Sequence, residues 1–219
     1  MADTRISGLT ALTSTSDDDL IPIVDDPSGT ATTKKITIAN LKTSFGSVIG
    51  TQDIWVPSTA MWATATNGAG GLNRTDSGGN NVNYQTFDFD TSTQEYVQFT
   101  IVFPRNYNNS TVTFTPYWTA ASGSGGVVWQ MKGVALSNDD ALDTALGTAQ
   151  TSTDTLITAA DVHVGPESSA ITIAGTPADS DIHFFEVSRL VSDGSDTLGV
   201  DAKLLGVMVK ITIDAGTSS

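Results

Sequence analysis

Histidine, carboxylate and aromatic side chains are the groups in this 219-residue chain that could do chemistry, since it contains no cysteine. His163 and His183 are the only histidines, and each sits between apolar neighbours, Val162 and Val164 in one case, Ile182 and Phe184 in the other. That alternation places both on strands, pointing to the more polar sheet face. A catalytic zinc ion takes about three protein ligands and keeps one position open, so Glu186 would have to join both histidines from different strands. No serine stands in a G-x-S-x-G elbow, so no Ser-His-Asp triad is expected.

Paired carboxylates occur at Asp88 with Asp90, at Asp193 with Asp196, and in the run Asp17-Asp18-Asp19. A glycosidase needs two carboxyls at a set separation across a sugar cleft. Asp88 and Asp90 share one face at the end of a strand, which reads as a pair of solvated strand-end acids. Calcium is the best metal candidate by ligand type, yet neither EF-hand nor RTX spacing is present. No catalytic residue, cofactor or metal ligand is therefore expected. Exposed Trp and Tyr rings beside Asp and Asn could hold a sugar, while Trp55, Trp62, Trp118 and Trp129 are expected in the core or at a subunit interface.

The elements that must position these groups follow from composition and pattern. The formal charge is -14, from 24 acidic against 10 basic side chains, and only Lys34-Lys35 begins a cationic cluster. A nucleic-acid partner is not expected, because phosphate binding needs a clustered basic surface. No apolar run reaches the length of a membrane span, and Met1-Ala2-Asp3-Thr4-Arg5 lacks a signal-peptide core, so membrane insertion is not expected and assembly in a cytoplasm is. Charged residues make up 16% of the chain against a usual share of about 25%, which suits Thr- and Ser-rich strands facing solvent or a neighbouring subunit.

The first fifty positions hold one aromatic residue, Phe45, while every Trp and Tyr and the other seven Phe lie beyond them. Two regions with separate cores are expected, residues 1–50 and 51–219. In the first, Leu20-Ile21-Pro22-Ile23-Val24 reads as an edge strand because Pro22 cannot donate to a ladder. Asp25-Asp26-Pro27-Ser28-Gly29-Thr30 reads as a turn. Lys34 to Ile38 forms a second strand, and Ala39 to Phe45 a helix with Leu41 and Phe45 on one face, stopped by Gly46. The fold class is mainly β: a small α/β module, then a jelly-roll-like antiparallel β-sandwich.

Strands of the sandwich are expected near 53–56, 84–90, 96–103, 111–119, 127–136, 155–164, 170–174, 182–191 and 203–213. Alternation is clearest from Thr111 to Trp118, where Val112, Phe114 and Trp118 share one face and Thr111, Thr113, Thr115 and Tyr117 the other. A helix is expected from Asn138 to Gly147, capped by Asn138, with Asp139 and Asp140 at its positive end and Leu142 and Leu146 on one face. The Gly-rich stretch Thr66 to Val82 reads as a long polar loop.

The blocks Ile6-Ser7-Gly8-Leu9-Thr10-Ala11-Leu12, Asp17 to Asp25 and Thr33 to Leu41 resemble, as an ordered set, an attachment module at the start of many tailed-phage fibre and tail proteins. That resemblance covers about the first 45 residues and implies a virion location. It assigns attachment to the apolar positions Ile6, Leu9, Leu12, Leu20, Ile21, Ile23, Val24, Ile36, Ile38, Leu41 and Phe45. The runs Ile54 to Trp62, Phe99 to Pro104, Trp118 to Gly123 and His163 to Glu167 look like an uncharacterised family of phage particle proteins, which implies a virion β-sandwich. No long fibrous repeat follows the module, so the resemblance points to a head fibre, capsid decoration protein or small tail appendage, and to a homotrimer bound to capsid, neck or tail proteins. The first reading is thus a non-enzymatic structural protein of a virion. The second is an appendage that recognises a host surface glycan.

Overall fold

The computed structural model describes residues 14–25, 28–30, 32–44 and 50–214. The expected positions Ile6, Leu9, Leu12, Asp26, Pro27, Phe45 and Gly46 lie outside them. The chain divides into two compact units, Met1–Val48 and Ile49–Ser219.

In the first unit, β1 (Leu20–Asp25) and β2 (Thr32–Thr37) form an antiparallel pair in which Pro22 faces Lys35 and Ile21 faces Ile36. A two-strand sheet has only edges, so Pro22 removes no ladder bond that a further strand would need. Helix α1 (Ile38–Ser44) follows at once. Its first N–H groups are satisfied from outside the helix: Ile38 N donates to the Asp19 carbonyl at 2.9 Å, Ala39 N to that of Asp17 at 3.1 Å, and Asn40 N to the Thr37 hydroxyl at 3.1 Å. Thr37 is therefore the N-cap.

The second unit is a β-sandwich of two antiparallel sheets. Its strands are β3 (Gly50–Pro57), β4 (Trp62–Ala63), β5 (Gly70–Asp76), β6 (Asn83–Phe89), β7 (Tyr96–Val102), β8 (Tyr107–Thr119), β9 (Gly125–Leu136), β10 (Gln150–Leu156), β11 (His163–Val164), β12 (Ile182–Arg189) and β13 (Ala202–Ile213), with a 3-10 turn at Ser58–Ala60. One sheet has the order β10-β9-β12-β7-β4, the other β11-β8-β13-β6-β5 with β3 also on β13. Within the sandwich the chain crosses from sheet to sheet at every connection except β5–β6 and β9–β10, giving the expected jelly-roll-like sandwich.

Period-2 patterning decides which side chains meet between the sheets. Val112, Phe114 and Trp118 from β8 and Val207, Val209 and Ile211 from β13 are buried, facing Val97, Phe99, Trp129, Met131, Phe185 and Val187 of the other sheet. Phe99 and Phe185 stack at 5.3 Å, and Trp129 meets Phe89 edge-on at 5.1 Å. Trp118 donates its indole N–H to Asp154 at 2.9 Å.

Four expected elements differ. Residues 138–147 form no helix: Asp140 accepts the Ser137 N–H at 2.9 Å and hydroxyl at 2.8 Å, and Asp139 takes a left-handed φ of 69°. Such local side-chain bonds compete with helix formation, and Leu142, 81% exposed, has no apolar face to join. The Gly-rich stretch is no plain loop, since Gly70–Asp76 pairs with β6 as an edge strand. Nearly every residue of β5 is exposed, so no alternation marks it. Residues 155–164 are two strands in different sheets, β10 and β11, separated by a turn with Ala160 at φ 65°. Residues 170–174 are not a strand; they bridge the sheets through Ile171 to Val112 and Ala174 to Val134.

Candidate functional site

The histidines do not meet. His163 Nε2 lies 3.0 Å from the Thr158 carbonyl, and its ring packs on Trp118 with centroids 4.9 Å apart. His183 is fully buried between Phe103, at 4.4 Å, and Tyr107, at 5.9 Å. Both face the interior, contrary to the polar face expected from alternation: their apolar neighbours are the outward ones, with Val162 and Val164 well exposed. On β12 His183 shares the inner face with Phe185 and Val187, while Glu186 turns outward to Lys132 at 3.0 Å and Gln98 at 3.0 Å. Among the described residues no group of three or more His, Cys, Asp or Glu could hold a metal ion.

His183 carries a pH dependence instead. Burial pushes its pKa below the ordinary imidazole value, against smaller opposing pulls from the Asp181 carboxylate and the backbone of Asp181 and Ile101. Neither ring nitrogen finds a hydrogen-bond partner of normal geometry. The imidazole is neutral in the fold and free to protonate in the unfolded chain. Stability is therefore full above the unfolded pKa of about 6.5 and falls as pH drops through it, by at most about 1.4 kcal/mol per pH unit, down to the depressed folded value. His183→Phe keeps the ring contacts and removes the titration. Urea midpoints at pH 7.5 and pH 5.5 should differ for the natural chain and differ less for the variant; equal drops in both would assign the acid lability elsewhere.

The carboxylate pairs resolve into structural roles. Asp88 bonds Lys203, Asn73 at 2.9 Å and Thr86 at 2.8 Å. Asp90 caps a turn, accepting the Ser92 hydroxyl at 2.7 Å and the backbone N–H groups of Ser92 and Thr93 at 2.6 and 2.8 Å; these bonds, Ser92's first, hold its pKa below the usual range. Asp193 accepts the Ser195 N–H at 2.8 Å, while Asp196 is buried against Arg189 at 2.8 Å. Asp17 pairs with Lys42 at 2.6 Å, and Asp19 accepts the Ser16 N–H at 2.7 Å.

The tryptophans divide. Trp118 and Trp129 are core residues, but Trp55 and Trp62 are 44% and 43% exposed. Trp62 lies on β4, at the edge of the five-stranded sheet. Trp55 helps form a groove on the other sheet. There β8 occupies one side of β13 along its length, so β6 and β3 must share the other: Ala202–Leu204 pair with β6, and Gly206–Ile213 with β3. The hand-over falls at Leu205, an extra residue in the β13–β8 register. A bulge there bends and twists the strand, and β3 and β6 splay from it.

The groove between them has a volume of about 480 Å³, within the range of small-ligand clefts. Trp55, Pro57, Ser58 and Thr59 form one bank; Arg74, Asn83, Tyr84 and Gln85 the other; Leu205 and Tyr117 complete it. Trp55 and Tyr117 stand edge to face, centroids 4.9 Å apart at 77°. Gly206 makes this possible: it faces Pro57 on one side and Tyr117 on the other, and a Cβ there would lie 2.6 Å from the Trp55 ring. The indole thus lies over bare backbone to reach Tyr117. Ser58 gives its hydroxyl to the Leu204 carbonyl, fixing the turn that forms the bank.

Such a groove offers aromatic surface ringed by amide, hydroxyl and guanidinium groups, and no carboxylate or imidazole lines it. It can stack an apolar face and hydrogen-bond the rim of a polyhydroxylated ring, but it holds no acid–base pair. Tyr117 was legible as an outward residue from the Thr face of β8. Arg74, Asn83 and Gln85 were not, because β5 and the start of β6 show no pattern. The one sequence signal for a close approach was a glycine inside the apolar run Leu204-Leu205-Gly206-Val207-Met208.

In the first unit, Leu20, Ile21 and Ile23 of β1 are exposed, and Ile36, Ile38 and Leu41 are half-buried; Val24 also lies on β1.

No protein-family model matches this chain, and no curated protein does. Among solved structures it is similar to a carbohydrate-binding module specific for non-crystalline cellulose, at 11% identity and TM-score 0.37, over 73% of this chain and 87% of that one. It is similar to the module TmCBM61 in complex with β-1,4-galactotriose, at 11% identity and TM-score 0.30, over 76% and 91%. A structure of infectious bursal disease virus, Gx strain, matches at 12% identity and TM-score 0.32, over 94% of this chain and 42% of that one.

Proposed function

We propose that this chain is a non-enzymatic glycan-recognition protein, an appendage of a phage particle whose sandwich binds a host surface glycan and whose first unit attaches it to the particle. One observation carries the binding half: the Trp55–Tyr117 pair, held half-exposed over Gly206 in an open groove. Leaving an indole against water forgoes burial that would stabilise the fold, whereas the CH face of a pyranose covers it and leaves the hydroxyls to Asn83, Gln85, Arg74 and Thr59. The groove's lack of carboxylates favours binding over hydrolysis.

The attachment half rests on the resemblance of the N-terminal blocks and on β1, whose exposed Leu20, Ile21 and Ile23 and open backbone edges suit a further protein surface. Assembly as a homotrimer and a station on capsid, neck or tail belong to the same reading. The groove supports the second of the two readings drawn from sequence over the first.

A glycan array probed with the full chain tests the reading. Saturable binding to a subset of glycans is expected, and Trp55→Ala should weaken it by about 30-fold, the cost of roughly 2 kcal/mol that truncating a central aromatic anchor carries. No saturable binding to any glycan, or binding that Trp55→Ala leaves intact, would return the chain to a decoration role.

A further inference from the structure

We propose that the glycan held in the groove is acidic, with a carboxylate-bearing sugar, a uronic or ulosonic acid, placed against Arg74. The inference rests on the groove being a glycan site. It begins from where the positive charge goes in a chain of net charge -14. In the sandwich, Lys132 pairs with Glu186 at 3.0 Å, Arg189 with Asp196 at 2.8 Å, Lys203 with Asp88, and Lys210 with Glu167. The Arg74 side chain is exposed on β5 and, among the described residues, forms neither an ion pair nor a hydrogen bond. It faces Gln85 across the β5–β6 register, and both line the groove.

An acidic surface would ordinarily capture a free guanidinium, because a bidentate carboxylate pair is among the stronger surface contacts. Arg74 has Thr75 and Asp76 beside it, yet Asp76 is turned into its own hairpin, accepting the Gly78 N–H at 2.9 Å. The carboxylate on the neighbouring strand, Asp88, is held by Lys203, Asn73 and Thr86. Both acids are thus engaged by other donors, and no acid lines the groove. What remains is a planar fork of donors next to an aromatic platform. A neutral sugar would use it as an ordinary hydrogen-bond donor; a carboxylated one would meet both its flat face and its charge.

The negative field of the rest of the chain opposes an anionic ligand, but it is screened beyond about 8 Å at physiological salt. The contact at Arg74 is shorter-ranged than that. Little long-range repulsion is then left for added salt to relieve, and the preference for the acidic sugar should survive, reduced, at 0.3 M salt, taken as about twice physiological ionic strength.

The test is calorimetric titration of the full chain with hexuronic-acid oligosaccharides, with sialic-acid oligosaccharides, with the carboxyl-reduced counterparts of each, and with a sulfated galactan oligosaccharide. One of the carboxylated series is expected to bind at least about tenfold tighter than its own reduced counterpart. Arg74→Gln should bring that ratio to about one, and Arg74→Lys should keep part of it; circular dichroism checks that both variants fold. Equal binding of carboxylated and reduced forms, with loss on Trp55→Ala, would overturn the acidic assignment while leaving the groove as a neutral-sugar site. Binding of the sulfated probe alone would overturn the carboxylate in favour of a sulfate ester. Binding of no probe, alongside a silent glycan array, would remove the groove reading itself.

Discussion

Arg189→Ala should cost the sandwich about 3–5 kcal/mol, a large part of the stability such a domain has. The side chain is fully buried, and its partner Asp196 is 2% exposed. Nε lies 3.1 and 3.0 Å from the two Asp196 oxygens, and Nη2 lies 2.8 Å from the first of them. Nη1 donates to the Val200 carbonyl at 2.9 Å and to those of Phe89 and Asp90 at 3.3 and 3.4 Å, while Nη2 also bonds the Leu198 carbonyl. Asp196 in turn accepts the Val128 N–H at 3.1 Å. One guanidinium thus ties the end of β12 to the loop ahead of β13 and to β6 of the opposite sheet, and its carboxylate reaches β9. Alanine would leave a buried carboxylate without its cation and strand several carbonyls, each costing about 1–3 kcal/mol when unsatisfied. Removing both charges, as in Arg189→Met with Asp196→Leu, should cost less than the single change, because no lone charge is left buried. Urea unfolding of Arg189→Met, Asp196→Leu and the double gives the coupling directly. A loss below about 1 kcal/mol for Arg189→Ala would mean that water reaches the carboxylate and that the clamp is not what holds the loop.

This clamp shows what was legible in the chain and what was not. Strands that bury one face announce themselves: Val112, Phe114 and Trp118 alternate with threonines because core and solvent alternate there, and the register follows. The pairing of Arg189 with Asp196 has no such period. It depends on a loop of irregular backbone whose course is set by the finished sandwich. The same holds for β5, which is exposed along nearly its whole length and carries no pattern, and for residues 138–147, where capping residues and leucines match a helix template but Asp140 bonds Ser137 instead. The two histidines were assigned to strands correctly and to faces wrongly, because a neutral imidazole among rings packs as an aromatic residue would. The groove inherits this unevenness. Tyr117 came from a patterned strand and Trp55 from an apolar triplet with no clear phase, while the opposite bank came from segments with no phase at all.

Gly206 is the position where fold and site depend on one atom, and Gly206→Ala should abolish the groove while leaving a folded sandwich. The added Cβ would lie 2.5 Å from the Val56 carbonyl oxygen and 2.6 and 2.7 Å from Cη2 and Cζ2 of Trp55. An indole at the surface can swing away; a strand carbonyl in a ladder cannot, so both relax and the β13–β3 pairing shifts locally. Overpacking of this kind costs about 1–3 kcal/mol, which should lower the urea midpoint without unfolding the chain. Displacing the indole separates it from Tyr117, so the near-ultraviolet circular dichroism from that ring pair should fall even with no ligand present. Saturable glycan binding should fall by at least the roughly 30-fold expected for loss of the anchor itself. Trp55→Ala combined with Gly206→Ala separates the two clashes: with the ring gone only the Val56 carbonyl opposes the new methyl group, so the double variant should be more stable than the sum of the singles requires. Strict additivity, or an alanine variant that keeps both the ring-pair signal and binding, would mean that Trp55 does not lie over Gly206 in solution, and the stacking platform would then have to be sought elsewhere on the sheet.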